Sequence, residues 1–128
     1  MTAIEQAERM YSICVEAAKE GITISYREVL DKLGYGPRAG GHAIRYGLEL
    51  AWMACAHEGL PSLTALVVNQ STGAPSEGYA VADWQKDKQD VFAVRRWPVA
   101  DSIDWPFIWK NRVELSEKYG TRGYWTRS

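Results

Sequence analysis

Cysteine and histidine are scarce in this chain, charge of one sign is missing, and no long hydrophobic run occurs. There are two cysteines, Cys14 and Cys55, and two histidines, His42 and His57. The thiols lie far apart, each within an apolar helical pattern, which argues against a disulfide framework and leaves no metal-ligand spacing. They read as small buried hydrophobes in a reducing cytosol, and no metal or cofactor is expected. No apolar stretch approaches the ~20 residues that a bilayer-spanning helix needs. The start, Met1-Thr2-Ala3-Ile4-Glu5, lacks the basic and apolar regions of a secretory signal. A cytoplasmic protein without a membrane partner is the expectation. Lys and Arg total 15 against 16 Asp and Glu, a net charge of -1. Proteins that grip DNA through its phosphates usually carry a basic excess, so any such excess here is local. No catalytic constellation stands out either. Thr64 and His57 have no acid in an evident orienting role, and Asp101 and Asp104 read as loop caps. No enzymatic activity is expected.

Aromatic residues are abundant by contrast: six Trp and seven Tyr in 128 residues, four of the Trp after position 90. No repeat or linker divides the chain, which is long enough for one hydrophobic core, so residues 1–128 read as a single domain. Residues 2–20 make the clearest helix. Ile4, Ala7, Met10, Tyr11, Cys14, Val15 and Ala18 recur at three- and four-residue steps, Thr2 and Glu5 form a capping-box pair, and Gly21 is the stop. Ile22-Thr23-Ile24 is a short strand or an extended lead-in.

A second helix opens at Ser25, whose hydroxyl can cap it while Glu28 reaches back. Val29, Leu30 and Leu33 face inward and Gly34 ends it. After the turn Tyr35-Gly36-Pro37, a third helix is expected from about Arg38 to His57, on the spacing of Ile44, Leu48, Ala51, Trp52 and Cys55, with Gly59 terminating it. Gly40, Gly41 and Gly47 cost roughly 0.5–1 kcal/mol each inside a helix. Either they allow close packing against the second helix, or they let a nucleic-acid backbone approach. Two helices so joined form a helix-turn-helix. Leu63 to Asn69 reads as a buried strand, the turn-rich Gln70 to Gly78 as a loop, and Tyr79 to Trp84 as a returning strand, together a hairpin wing. Lys86 to Asp90 reads as a charged turn and Val91 to Val94 as a third short strand. Past Arg95 the chain is irregular, with a helix from Pro106 to Tyr119. The fold class expected is α+β and winged-helix-like. Its core spans about 2–94, with an N-terminal helix and a Trp-rich extension over 95–128.

These pieces have the order of a known family. Ser25-Tyr26-Arg27-Glu28-Val29, then Arg38-Ala39-Gly40-Gly41-His42-Ala43-Ile44-Arg45, then Leu63 to Val68, then Gly73 to Tyr79 resemble the DNA-binding domain of the O6-alkylguanine-DNA alkyltransferases and alkyltransferase-like proteins. The resemblance covers residues 22–79. It implies that Tyr26 lies against a DNA phosphate near a flipped nucleotide, and that Arg38 enters the base stack in its place, a hole that a planar cation can fill. The chain departs from the family at the acceptor Cys. Thr64 stands in its place, followed by Ala65-Leu66 rather than His-Arg, and a Thr hydroxyl without an adjacent base is a poor alkyl acceptor. The segment from Arg45 to Thr64 is also longer, and it lacks the family's Asn-Pro. DNA binding without alkyl transfer is the implied activity.

The nucleic-acid-binding candidates are Tyr26, Arg27, Arg38, His42 and Arg45. Arg38, His42 and Arg45 are spaced to share one face of a helix. A cation at a helix start opposes the macrodipole, which favours anions there, and either an external anion or solvent accounts for it. Tyr26 either contacts a phosphate or packs its ring on the domain edge. The Trp-rich extension stacks unpaired bases or folds over the core as an extra layer. The partner expected is duplex or distorted DNA. The alternative is a protein-interaction module on the same scaffold, reading another protein through its Trp and Tyr, residues favoured at interface hot spots.

Overall fold

The computed structural model describes residues 1–75 and 84–119. Helix α1 spans Ala3–Glu20. Thr2 Oγ1 accepts the Glu5 N–H at 3.1 Å, and Gly21 closes the helix in the left-handed conformation at φ 70°, where a Cβ would be strained. The predicted stripe is the buried face: Ala7, Met10, Tyr11 and Cys14 are at most 2% exposed. Strand β1, Ile24–Ser25, leads directly into α2, Tyr26–Lys32. Ser25 caps α2 as expected, accepting the Glu28 N–H at 3.1 Å, with the Glu28 carboxylate turned back toward Ser25 Oγ at 3.4 Å.

Helix α3 begins later than its periodicity suggested. It spans Arg45–His57 and is preceded by a single 3-10 turn, Gly41–Ile44. Pro37 and Arg38 lie in a turn, and Gly40 is extended at φ -112°, ψ 179°. The two consecutive glycines, Gly40-Gly41, each cost a helix roughly 0.5–1 kcal/mol, with no side chain of their own to bury in return. Arg38, His42 and Arg45 therefore sit in a turn, a 3-10 turn and the first position of α3, rather than on one helix face.

The wing region also differs. Leu63–Leu66 is a 3-10 turn, and only Val67–Val68 form a strand, β2. It pairs in parallel with β1, Ile24 opposite Val67 and Ser25 opposite Val68. Leu63, Ala65, Leu66 and Val67 are all at most 1% exposed. A segment buried on every side shows no alternation that separates strand from turn. So short a ladder offers a few hydrogen bonds of about 1 kcal/mol net each. Each buried aliphatic side chain around it contributes ~1.5–3 kcal/mol, so this pair is a seam within a helical core rather than its foundation. After β2 the chain reverses: Gly73 N–H donates to Asn69 C=O and Asn69 N–H to Ala74 C=O, both at 2.8 Å. Of the returning strand expected from Tyr79 to Trp84, residues 79–83 lie outside the described residues and Trp84 belongs to a helix instead.

The charged turn at 86–90 and the strand at 91–94 are instead one helix, α4, Trp84–Ala93. It holds a Lys86–Asp90 pair at 2.9 Å, and no Gly or Pro interrupts it. The helix expected over 106–119 is two, α5 (Trp105–Lys110) and α6 (Arg112–Tyr119), broken at Asn111. Asp104 caps α5, accepting the Phe107 N–H at 3.1 Å. The described part of the extension, 95–119, is an added layer over α1 and α3. Trp97 and Trp105 are buried, Tyr11 meets Trp105 edge to face at 5.9 Å, and Tyr11 donates its hydroxyl to Pro98 C=O at 2.6 Å. The described residues are mostly helical, with one small parallel sheet among them. No helix among the described residues is long and apolar enough to cross a membrane.

Candidate nucleic-acid interface

The five candidate residues separate into different roles. Arg27, on α2, is turned onto the protein itself. Its Nε and Nη2 contact Asp31 Oδ1 at 3.1 and 3.0 Å. Nη1 donates to Pro37 C=O at 3.2 Å and Ala39 C=O at 3.0 Å, and Nη2 to Gly36 C=O at 3.2 Å. A guanidinium has five N–H donors; four of them are hydrogen-bonded within the protein, and Nη2 also pairs with Asp31, so little of Arg27 is left for a phosphate. Arg27 instead collects the carbonyls of the Gly36–Ala39 loop and fixes its course.

Arg38 stands on that loop. It is exposed and makes no hydrogen bond or ion pair with any described residue. His42, in the following 3-10 turn, is exposed too. Arg45, first in α3, is half-buried. Its Nη1 donates to His42 C=O at 2.6 Å, its Nη2 to Tyr46 Oη at 3.2 Å, and its guanidinium lies 4.2 Å from the Tyr46 ring centroid. Stacking on that ring stiffens the side chain. Tyr26 is half-buried and packs against the core. Its Cδ1 is 3.7 Å from where a Cβ on Gly41 would sit, so its ring flanks the start of the 3-10 turn.

The neighbouring acids are engaged in different ways. Asp31 is held by Arg27. Glu28 lines a groove against α1. Glu49 is buried under α6, where Ser116 Oγ donates to its Oε1 at 3.3 Å. Neither Arg38 nor Arg45 is paired with an acid among the described residues.

Gln6 orders this region and was not singled out as a candidate. Its Nε2 donates to Tyr35 Oη at 2.7 Å and to Ala43 C=O at 2.9 Å, while its Oε1 accepts the Gly47 N–H at 2.9 Å. Gly47 is in the first turn of α3, where N–H groups lack a helical partner. Gln6 is thus a remote cap, one side chain joining α1 to both ends of the Tyr35–Gly47 segment. The available signal was an amide four residues before Met10, on the same apolar stripe. Gly47 is bare for the same reason: a Cβ there would lie 2.6 Å from Gln6 Oε1 and 2.9 Å from Met10 Sδ. Its packing partner is α1, not α2 as the sequence suggested.

Thr64, at the position of the absent acceptor, is buried with its hydroxyl 2.7 Å from Ser62 Oγ. Burial pushes the Cys14 and Cys55 thiols up to about 12, which keeps both in the unreactive protonated form. Compared with models of protein families, with curated proteins and with solved structures, the chain matches none of them.

Proposed function

We propose that the protein binds DNA without chemically altering it, through Arg38, His42 and Arg45 with Tyr26 alongside, on a winged-helix-like scaffold related to that of the alkyltransferase-like proteins. The reading rests on one observation. Arg38 is an exposed cation without a partner among the described residues, on a loop that a second arginine holds through three backbone carbonyls. A guanidinium presented from a pre-set loop loses less freedom on binding than one on a mobile loop. The pairing of Asp31 with Arg27 and the burial of Glu49 under α6 support the same reading, as does the chain reversal at Asn69–Ala74, where a wing would begin. The small number of cations implies few phosphate contacts and hence a shallow salt dependence.

The test is a fluorescence-anisotropy titration at low salt with duplex DNA, intact and containing a distorted site. Micromolar or tighter binding is expected, with Arg38→Ala reducing the slope of log K against log salt by about 1 and Arg38→Ala with Arg45→Ala abolishing binding. No binding at micromolar protein, or undiminished binding by the double variant, overturns the reading. A protein-interaction role on the same scaffold is favoured by a different feature, the groove along α1.

A further inference from the structure

We infer that the trough on the outer side of α1 is a docking site for a cationic, aliphatic-bearing segment of another protein, independent of the DNA surface. Its main hollow, about 370 Å³, lies between α1 and the β1–α2 corner, with Ile13, Ala17 and Ile24 among its apolar lining. Two further hollows, about 360 and 140 Å³, continue it to the Pro98–Asp101 segment, and Ser12 lines all three. The depression is therefore elongated, the shape of a peptide rather than of a compact metabolite. Apolar side chains stand in water at its two ends, Ile22 at 49% exposure and Val99 at 69%.

Charge chooses among possible occupants. Glu8, Glu16, Glu20, Glu28 and Asp101 line the trough against Arg9, Lys19 and Lys32, and Lys19 is already 3.6 Å from Glu16. The excess is two negative charges, in a chain whose total is only -1. A polyanion is repelled there. An uncharged aliphatic segment suits the floor but desolvates rim carboxylates with nothing in return. Lysine or arginine beside two or three aliphatic residues satisfies both, since long cationic side chains lay their stems on apolar surface while the charge reaches the rim. This is the mode of an amphipathic segment in a groove.

The experiment uses the full chain and a labelled amphipathic peptide of leucine and lysine, beside the same peptide with glutamate in place of lysine. The lysine peptide should bind and the glutamate peptide should not. Glu16→Lys with Glu20→Lys, and separately Ile22→Ser, should each weaken binding about tenfold or more, while Arg38→Ala leaves it unchanged. These side chains are exposed or half-exposed, and an unchanged thermal midpoint verifies that each variant folds. Failure of the lysine peptide to bind overturns the inference. So does binding that survives both the charge reversal and Ile22→Ser, or binding that Arg38→Ala removes. If the chain self-associates and Ile22→Ser dissociates it, the occupant is a second copy, and the inference is again overturned. Because Arg38→Ala affects only the DNA titration, loss of one reading does not decide the other.

Discussion

At the scale of single residues, Arg27 and Arg38 show how one side chain type performs opposite tasks. Both lie in the stretch that resembles a DNA-binding motif, and spacing alone makes both contact candidates. Three loop carbonyls and Asp31 take four of the five donors of Arg27, while Arg38 faces water. The consequence is measurable. Arg27→Gln keeps an amide donor but cannot span three carbonyls, so the loop loosens. DNA affinity should then fall roughly three- to tenfold, the effect of about 1 kcal/mol. The slope of log K against log salt should not change, since no phosphate contact is lost. Arg38→Ala should change both. If Arg27→Gln lowers that slope as Arg38→Ala does, Arg27 touches phosphate and the loop-holding role is wrong.

Elements whose limits are set by local chemistry were legible from the sequence. The Thr2 and Ser25 caps, the stripe of α1, and the stops at Gly21, Gly34 and Gly59, all at positive φ, are decided within a few residues by hydrogen bonding and backbone sterics. What was not legible depends on distant partners. The buried run Leu63–Val68 offers no periodicity, so its 3-10 turn and parallel pairing emerge only with β1 in place. Residues 84–93 are mostly charged and polar with few apolar positions to set a period, and their helix is held by Val91, fully buried in the core. The candidate site was legible as a set of residue types but not as an arrangement, because Gly40-Gly41 delay α3 and Gln6 caps it from another helix. That remote cap gives a sharp expectation at the α1–α3 contact. On propensity alone, Gly47→Ala stabilises a helix by roughly 1 kcal/mol. Here the new methyl meets a glutamine pinned by three hydrogen bonds and the Met10 sulfur. The overpacking cost, typically ~1–3 kcal/mol, exceeds the gain, and a stranded Gly47 N–H adds to it if Gln6 swings away. Urea denaturation should therefore show Gly47→Ala less stable than the parent. A higher midpoint for the variant contradicts the packing described.

Across the whole molecule, the core is held by apolar burial, with two thiols and a phenol enclosed in it. Cys14 and Cys55 are at most 2% exposed, and burial pushes each from an ordinary 9 up to about 12. For Cys55, Glu58 also raises it while the Leu63 backbone N–H opposes. Burial raises Tyr11 as well. The sign of the linkage follows. The neutral thiol is favoured in the folded state, so this stability is fully present below about pH 9, where both states keep their protons. Above that pH the unfolded chain releases protons that the folded chain retains, and stability falls until pH reaches the folded value near 12. The loss is about 1.4 kcal/mol per thiol for each pH unit, and Tyr11 adds the same sign from about pH 10. Other groups titrate in that window too, so the comparison is with Cys14→Ala/Cys55→Ala. That variant should start less stable near pH 7, having lost the packing of two sulfurs, and should decline less steeply between about pH 9 and pH 11. The two stability curves therefore converge with rising pH. Parallel curves would mean that the thiols ionise as readily in the folded chain as in the unfolded one, which an enclosed core around Cys14 and Cys55 does not allow.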